Sequence, residues 1–336
     1  MHVLVIGGTR FVGYFLVWRL LAAGHRVSLL NRGTRPDPFG TRIERLQADR
    51  TTADLGRILA PRRFDAVVDF AAYTAGDTRQ VIKVLGGKIG QYVFVSTGQV
   101  YLVRQNCPRP SKESDYDGPT IPQPDQPLDK EEWLYGMNKR AAEDELAQAW
   151  VTSRFPATRL RLPMVNGERD HFRRIESYLW RILDGGPILL PDGGMQPCRH
   201  VYGMAVVKTI CSVLLNPDTF GHAYNLCQDE QPTLAELVSL LADKVGARTR
   251  TVSVGATRLA EHGLRPEDVS PFSDAWMSRL DPAKAKTQLG FQHEPVSLYL
   301  EKIITCFLAH PPAEPPASYA LRPVELRLAA SERSCE

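Results

Sequence analysis

The sequence predicts an α/β fold: a doubly wound parallel sheet followed by a smaller C-terminal α+β lobe. Three observations predict this class. Short apolar stretches alternate with segments of helical periodicity over the first half of the chain, as the βα units of a parallel sheet do. The stretch FDAVVDFAA, residues 64–72, is almost continuously apolar, which is typical of a strand buried on both faces. A glycine-rich turn, residues 7–13, separates the first strand pattern from the first helix pattern.

The predicted elements follow one another in βα order. Strands are predicted at HVLVIG, RVSLLN, RIERLQAD, FDAVVDFAA and QYVFVST. The helices between them are FVGYFLVWRLLAAGH, which ends near a capping Gly24, ADLGRILA and DTRQVIKVLGGKI. A longer helix spans about 130–150, and ATRLRLPMVNG follows as a strand and turn. In the second half, TLAELVSLLADKVG and VSLYLEKIITCFLAH have the apolar spacing of amphipathic helices.

These patterns divide the chain. Residues 1–165 form the predicted nucleotide-binding domain of the Rossmann type, rejoined by segments around 200–228, and residues 166–310 form most of a substrate-binding lobe. Residues 102–128 contain six prolines and predict an irregular loop, either a lid or binding loop or a solvated excursion. The proline-rich stretch from 311 to 336 predicts a mobile tail.

Composition excludes several classes of protein. Lys and Arg total 41 against 38 Asp and Glu, a net charge of +3, so no strong field favours nucleic acid or an anionic membrane. No apolar run approaches the roughly 18 residues that span a bilayer. The cysteines form no C-x-x-C pair and no metal-ligand spacing. They predict no metal site and six reduced thiols in a cytoplasmic protein: Cys107, Cys198, Cys211, Cys227, Cys306 and Cys335.

The turn GGTRFVG predicts a dinucleotide-binding loop. Glycine is needed where φ is positive and where the helix packs closely on the strand, and backbone N–H groups at the helix start can face a pyrophosphate. Arg10 stands where such loops usually place their middle glycine, and its guanidinium can reach phosphate oxygens. The predicted pyrophosphate-binding residues are Gly7, Gly8, Thr9, Arg10, Phe11, Val12 and Gly13.

The residues after the second strand bear on the choice of cofactor. Cofactors with a free ribose hydroxyl usually meet a carboxylate there, whereas this chain has Asn31, Arg32 and Arg35 before its first acid, Asp37. The guanidiniums favour a 2′-phosphate, hence NADP(H) over NAD(H), although solvated arginines with Asn31 bound to the ribose would also fit. Asp49, after the third strand, accepts from the adenine amine or caps its own loop.

Tyr135 and Lys139 in YGMNK are the candidate catalytic pair. Four residues apart in a predicted helix, they lie on one face, where an ammonium would lower the pKa of the phenol and ready it for proton transfer. An ordinary surface pair is the alternative. The strand ending FVSTGQVY offers Ser96 and Thr97 as a hydroxyl partner.

Together these motifs resemble those of the extended short-chain dehydrogenase/reductase family, which includes the NAD-dependent epimerases and dehydratases. The resemblance runs from residue 1 to about 310 and includes RLRLPMVNGE, CRHVYGMA and RLDPAKAKTQLGF. It implies that Thr97, three residues before the pair Val100-Tyr101, orients the substrate. It also implies that the turn after the strand ending at Pro163 closes over the nicotinamide, and that the cofactor cleft is lined by Ala71, Ala72 and Tyr73.

Two departures from the family pattern matter. Gly98-Gln99 stands where 4,6-dehydratases carry an Asp-Glu pair, so we expect no acid and base for eliminating water. Tyr202-Gly203 replaces residues that are acidic in many relatives. The stretches GGTRFVG, PDGGMQPCRHV and SPFSDAW are similar to an atypical branch that includes chloroplast stem-loop-binding proteins, which bind RNA. Those relatives tend to lack an intact Y-x-x-x-K, which this chain keeps.

The sequence therefore predicts an NAD(P)-dependent reductase or epimerase acting at a secondary alcohol or ketone carbon of a small organic substrate. A nucleotide-sugar epimerase, an RNA-binding protein on the same fold and a non-catalytic regulator are the alternatives. The near-neutral charge argues against nucleic acid. Basic side chains in the second half fit either an anionic substrate or a solvated helix face: Arg169, His171, Arg173 and Arg174. The resemblance implies a homodimer formed by the helix of Tyr135 and the helix near 77–89.

Overall fold

The structure is a computed structural model that describes residues 1–273 and 275–332. In these ranges the chain forms eleven strands. Their bounds are β1 His2–Ile6, β2 Arg26–Asn31, β3 Glu44–Gln47, β4 Phe64–Asp69, β5 Ile89–Thr97, β6 Ala157–Leu162, β7 Val165–Asn166, β8 Ile188–Pro191, β9 Val201–Tyr202, β10 Ala223–Asn225 and β11 Thr251–Val254.

Thirteen α-helices lie in the same described ranges. Their bounds are α1 Phe11–Ala22, α2 Asp54–Leu59, α3 Ala75–Leu85, α4 Gln99–Leu102, α5 Pro127–Ser153, α6 Arg174–Leu183, α7 Gly203–Val213, α8 Leu234–Val245, α9 Ala256–Glu261, α10 Pro266–Val269, α11 Ala283–Leu289, α12 Val296–Ala309 and α13 Arg322–Ser331. Each strand and helix that the sequence patterns predict has its counterpart here.

The chain divides into two compact units. The first comprises Met1–Val165, Gly203–Cys227 and Ser278–His293, and the second comprises Asn166–Tyr202, Gln228–Met277 and Glu294–Glu336. The first unit resumes with α7 and β10, which lie in the segment Gly203–Cys227, and the assignment of the two units to cofactor and substrate stays a prediction. The second return, through α11, was not predicted, because its short helical pattern resembles the other helices of the second half.

The first unit is built on a seven-stranded parallel sheet in the order β10-β6-β5-β4-β1-β2-β3. This confirms the doubly wound α/β fold. The strand order reverses between β1 and β4, and in such a sheet ligands bind outside the carboxyl ends at that point. Ile6 pairs with Asp69 and Thr97 pairs with Leu162 in the register of the sheet, so the residues that follow these strands share one edge.

Both faces of the sheet are covered by helices. On one face, Leu4 and Ile6 pack with apolar side chains of α2, α3 and α5, among them Val81 and Leu146. On the other, α1 packs beside α7, and Val5 lies near Val17. The alternation of strand side chains between these layers explains why β1 and β4 read as continuous apolar stretches.

The second unit contains a two-stranded parallel sheet of β8 and β11 and helices packed around a small apolar core. The sequence predicted a mobile tail from residue 311, and this is wrong for the described part of it. Helix α13 buries Leu328 and Ala329 in that core. The buried Arg181 guanidinium pairs with the buried Glu325 carboxylate at 2.5 Å. Residues 333–336 lie outside the described residues.

Among the described residues, no helix combines the length and apolarity required to cross a membrane. Five of the predicted thiols are free: Cys107, Cys198, Cys211, Cys227 and Cys306. Cys335 and Asp274, the latter within SPFSDAW, lie outside the described residues.

Candidate active site

Three positions of the glycine turn between β1 and α1 have no room for a side chain. Gly7 has φ +85°, and a Cβ placed there would lie 3.0 Å from the Ala71 Cβ. At Gly8 a Cβ would meet Val5 at 2.5 Å, and at Gly13 it would meet the Gly8 Cα at 2.7 Å. Only glycine fits these positions. The close approach of the turn to Ala71 also brings the glycine loop against the end of β4.

Arg10 occupies the middle position of the turn without strain. Its φ of −129° and ψ of 153° are extended values that any residue adopts, while the next residue, Phe11, has the left-handed φ of 43°. A positive φ therefore falls on Phe11, the first residue of α1, and not on Arg10. The Arg10 side chain beside it is partly exposed. Thr9 is also partly exposed, whereas Val12 is buried.

Behind the glycine turn, the loop after β2 presents two arginines. The Asn31 side chain accepts a hydrogen bond from the Gly33 N–H at 2.8 Å, which fixes the turn, and Arg32 and Arg35 are exposed. The first acid of this loop, Asp37, is held by Arg45 at 2.6 Å. Asp37, paired with Arg45, therefore does not serve as the carboxylate that usually binds the ribose hydroxyl after this strand.

Asp49, after β3, caps its own loop. Its carboxylate accepts from the Thr51 N–H at 2.9 Å and from the Thr51 hydroxyl at 2.7 Å, and the first of these bonds is the main reason why the pKa of Asp49 lies below its usual range. The role as a loop cap is therefore observed, and a contact with the adenine amine stays a prediction.

A buried ionic network at the end of β4 was not predicted. The Asp69 carboxylate, 0% exposed, accepts from the Arg50 guanidinium at 2.9 and 3.0 Å, from the Tyr92 hydroxyl at 2.7 Å and from the Ala71 N–H at 2.8 Å. Arg50 also pairs with Asp77 at 3.1 Å. The network ties the ends of β3 and β4 to the start of α3 and fixes the loop of Ala71 to Tyr73 at the edge of the predicted cofactor cleft.

Thr97 and Tyr135 meet at the carboxyl end of β5. The Thr97 hydroxyl lies close enough to the Tyr135 phenol to lower its pKa, and it accepts from the Gln99 N–H at 3.2 Å. The Tyr135 ring lies 6.1 Å from that of Tyr73, centroid to centroid. Thr97 pairs with Leu162, and Pro163 follows that residue directly. Four of the predicted site residues thus occupy one edge of the sheet: Tyr73, Thr97, Tyr135 and Pro163.

Lys139 lies beside this edge, where its ammonium is held by backbone carbonyls. Its Nζ donates to the Ala72 carbonyl at 2.8 Å and the Val95 carbonyl at 3.0 Å, and it sits 4.8 Å from the centre of the Tyr73 ring. Burial lowers the pKa of the ammonium to about 8.

The expectation that Lys139 lowers the pKa of the Tyr135 phenol stays a prediction. Burial raises the pKa of Tyr135 above its ordinary value, the Thr97 hydroxyl opposes the rise, and Tyr73 and Glu132 add to it.

A carboxylate that the sequence analysis missed lies near the phenol. Glu132, one helical turn before Tyr135, accepts a short hydrogen bond from the Gln99 side-chain amide. The same amide donates to the Glu132 carbonyl at 3.3 Å. Helix α5 comes this close because Gly136 has no side chain: a Cβ there would lie 3.0 Å from the Gln99 carbonyl oxygen.

Packing explains one departure from the family pattern. A Cβ on Gly98 would lie 2.2 Å from the Ser278 hydroxyl and 2.9 Å from a methyl of Leu280. The position where the dehydratases carry their aspartate therefore has no room for a side chain. This agrees with the expectation that the chain lacks their acid and base.

The residues fit a nicotinamide dinucleotide. The glycine turn leaves a cradle that any Cβ would fill, α1 begins directly behind it, and a hydroxyl, a phenol and an ammonium lie at the same edge of the sheet. The missed residues, Asp69, Glu132 and their partners, carried no sequence signal because each acts through a contact with a distant segment.

Comparisons with known proteins agree with this geometry. The model of the NAD dependent epimerase/dehydratase family matches residues 3–227. A 2′-dehydrokanamycin reductase of Streptomyces kanamyceticus is 27% identical over 268 residues, 78% of this chain and 71% of that protein. The chloroplast stem-loop binding protein of 41 kDa b of Arabidopsis thaliana is 25% identical over 258 residues, 73% of this chain but only 63% of that protein's length.

Solved structures show the same fold. The UDP-glucose 4-epimerase of Thermotoga maritima superposes with a TM-score of 0.73 at 18% identity, over 92% of this chain and 99% of the epimerase. The dTDP-glucose 4,6-dehydratase of Bacillus anthracis, solved in complex with NAD, superposes with a TM-score of 0.72 at 16% identity, over 93% of this chain and 97% of that chain.

Proposed function

The chain belongs to the NAD-dependent epimerase/dehydratase family, and we propose that within it the protein is an NADP(H)-dependent oxidoreductase acting on a secondary alcohol or ketone of a small organic substrate. The observation that carries the proposal is the closeness of the Thr97 hydroxyl to the Tyr135 phenol at the edge of the sheet that holds the glycine cradle. It pairs a substrate-orienting hydroxyl with a proton donor.

In the proposed reaction Thr97 and Tyr135 have different roles. Thr97 and Tyr135 both bind the carbonyl oxygen, and Tyr135 gives it a proton. The chemistry that a bound nicotinamide supplies is a two-electron hydride transfer to the carbonyl carbon. The substrate thereby gains one hydride and one proton, and the phenolate takes its proton back from solvent. The reverse direction oxidises the alcohol by the same steps.

Lys139 is proposed to stabilise the phenolate electrostatically and to hold the nicotinamide ribose. Its two acceptors are the backbone carbonyls of Ala72 and Val95, and a bound cofactor would offer a ribose hydroxyl in place of one of them. The pKa of about 8 means that this role weakens as the pH rises through 8, because the lysine then loses its charge.

Net reduction is favoured over the alternative of a nucleotide-sugar epimerase. Two of the arginines predicted to bind an anionic substrate are engaged within the second unit. Arg173 pairs with Glu176 at 2.7 Å, and Arg174 pairs with Asp170 at 3.3 Å. One relative is, by its name, a reductase of 2′-dehydrokanamycin. An epimerase would retain its cofactor through each turnover, so NADP⁺ accumulating in step with product supports net reduction.

The preference for NADP(H) rests on Arg32 and Arg35, exposed at the end of β2, and on Asp37, whose carboxylate is bound by Arg45. We expect Arg32→Ala and Arg35→Ala each to weaken NADPH binding about 10-fold, the value of one charge-assisted bond, and to leave NADH binding unchanged. Arg19→Ala, on the exposed side of α1, is the control. Equal losses for both cofactors would contradict the assignment.

The decisive test of the function is Tyr135→Phe. The variant should bind NADPH as the parent does, measured by the fluorescence of the reduced cofactor, but lose about 10²-fold to 10⁴-fold in kcat. Thr97→Ala should reduce kcat/KM without changing cofactor affinity. A Tyr135→Phe variant with unchanged turnover would refute the assignment of the phenol, and a wild-type protein that binds neither cofactor would refute the function.

A homodimer and a cytoplasmic location are proposed as well. The packing of α3 against α5 gives the pair of helices from which the dimer would be built, and the five free thiols of the described chain suit a reducing compartment. A monomer in analytical ultracentrifugation at micromolar concentration, or recovery of the protein in an extracellular fraction, would contradict them.

A further inference from the structure

We infer that the rings of Tyr73 and Phe94 form an aromatic clamp around the Lys139 ammonium, and that Tyr73 is a positioning residue that acts on the reaction through this lysine. The three side chains come from the loop after β4, from β5 and from α5. The clamp itself depends only on the contacts of the lysine, whereas its effect on the reaction rests on the proposed oxidoreductase function.

Two aromatic rings lie at nearly the same distance from the Lys139 Nζ. The centre of the Tyr73 ring is 4.8 Å away and that of the Phe94 ring is 4.7 Å away. Both distances are within the roughly 6 Å over which the negative face of a ring attracts a cation. The same Nζ donates to the carbonyls of Ala72 and Val95, which are chain neighbours of the two aromatic residues. Each of the two segments therefore meets the ammonium with one carbonyl and one ring.

The rings stabilise a charge that burial disfavours. Lys139 is only 3% exposed, and an ammonium taken out of water is unfavourable unless other groups stabilise it. A cation–π contact is strongest where water is excluded. The rings are also neutral, whereas a further carboxylate beside Lys139 would disfavour the phenolate of Tyr135. The clamp thus favours the ammonium without opposing the phenolate that the proposed reaction forms.

Tyr73 is held where its ring meets both Tyr135 and Lys139. Its N–H donates to the Asp77 carboxylate at 2.8 Å, which fixes the backbone before α3, and its ring lies 6.1 Å from that of Tyr135, centroid to centroid. The Tyr73 side chain is 50% exposed, whereas Phe94 is 0% exposed. The Tyr73 ring can therefore be replaced without opening a cavity in the core, and it is the half of the clamp that an experiment can remove.

Charged groups on several elements also act on Lys139. Burial lowers the pKa of its ammonium to about 8. Carboxylates on β4, α5 and α3 oppose this decrease and a guanidinium after β3 adds to it: Asp69, Glu143, Asp77 and Arg50. All four groups remain in a variant of Tyr73, and the backbone N–H that Asp77 accepts remains too. A change in the pH at which Lys139 loses its proton then measures the contribution of the ring.

The experiment compares Tyr73→Leu, which removes the ring, with Tyr73→Phe, which removes only the hydroxyl and is the matched control. The loss of the Lys139 proton is followed by NMR, from the pH dependence of the Cε signal in protein labelled with carbon-13 lysine. Lys139→Arg, which lacks that signal, assigns it. We expect a midpoint at about pH 8 in the wild-type protein and in Tyr73→Phe. In Tyr73→Leu the midpoint should be about one pH unit lower, an about 10-fold loss of proton affinity.

The same change should appear in the reaction. With saturating NADPH, kcat for the reduction of cyclohexanone should fall with rising pH about one pH unit earlier in Tyr73→Leu, and Tyr73→Phe should keep the wild-type profile. Equal NMR midpoints in Tyr73→Leu and the wild-type protein would overturn the clamp. A lower midpoint with an unchanged kcat profile would overturn the action of Tyr73 through Lys139. A lower midpoint in a protein that reduces no ketone would contradict the oxidoreductase and support the clamp.

Discussion

Replacing Asp69 by asparagine should test both the stability of the buried ionic network and the proposed role of Lys139. The carboxylate accepts from Arg50, from Tyr92 and from the Ala71 N–H, and an asparagine of the same shape turns one of its two oxygens into a donor. At least one of these bonds is lost, and Arg50 keeps only its contact with Asp77 as an ionic partner in this network. Removing one member of a buried ion pair costs about 3–5 kcal/mol. Because Arg50 keeps Asp77 as a partner, we expect the free energy of unfolding to fall by about 3 kcal/mol.

The same substitution should move the pH dependence of activity. Burial lowers the pKa of Lys139, and Asp69 is the foremost charge that opposes this decrease. Without Asp69 the ammonium loses its proton at a lower pH than about 8, so the loss of kcat with rising pH begins earlier than in the wild-type protein. The measurements are urea unfolding at pH 7 and kcat from pH 6 to 9.

Asp65→Asn is the control for both measurements. It makes the same change in the same strand at an exposed position, and asparagine keeps an oxygen to accept from the His2 N–H. We expect it to alter the free energy of unfolding by less than about 0.5 kcal/mol. If Asp69→Asn lost less than about 1 kcal/mol and kept the wild-type pH profile, the network would contribute neither stability nor control of Lys139.

Three further outcomes are expected. In Gly13→Ala the new Cβ would lie 2.7 Å from the Gly8 backbone, so the variant should weaken NADPH binding at least about 10-fold and destabilise the fold by about 1–3 kcal/mol. Gly56→Ala, whose Cβ would lie 3.7 Å from its nearest neighbour, is the control and should do neither. Equal affinities of the two variants for NADPH would contradict the role of the glycine turn in cofactor binding. Glu325→Gln, which leaves the buried Arg181 without its carboxylate, should lower the free energy of unfolding by about 3–5 kcal/mol, measured in urea, and a neutral result would show that the tail contributes little. An electrophoretic shift with structured RNA should show no binding at physiological salt, and tight binding with a steep salt dependence would support the RNA-binding alternative.

Local patterns were sufficient to predict the sheet and most of its helices. The apolar runs of β1, β4 and β5 and the spacing of Tyr135 and Lys139 depend on neighbours in the chain, and periodicity records such neighbours directly. The fold and the family were confirmed. The roles of Thr97, Tyr135 and the cofactor-binding residues stay predictions, although the structure gathers them at one edge.

What the sequence did not predict depends on contacts between distant segments. Arg50 and Asp69 lie nineteen residues apart, after β3 and at the end of β4. No local sequence pattern predicts that the two will form an ion pair. The orientation of Lys139 depends on the carbonyls of Ala72, in the loop after β4, and of Val95, in β5. The order of the tail depends on the Glu325 carboxylate, which pairs with Arg181 within the second unit. Proline content alone suggested disorder there, because composition does not register a buried partner.

The lack of room for a side chain at Gly98 limits how a dehydratase activity could be engineered into this protein. An attempt to install water elimination by grafting an aspartate and a glutamate after Thr97 would meet the side chains of Ser278 and Leu280 before any question of reactivity arose. Those two positions would have to be reduced in size first. The obstacle to such a graft is therefore steric, and the two side chains that cause it, Ser278 and Leu280, lie about 180 residues further along the chain.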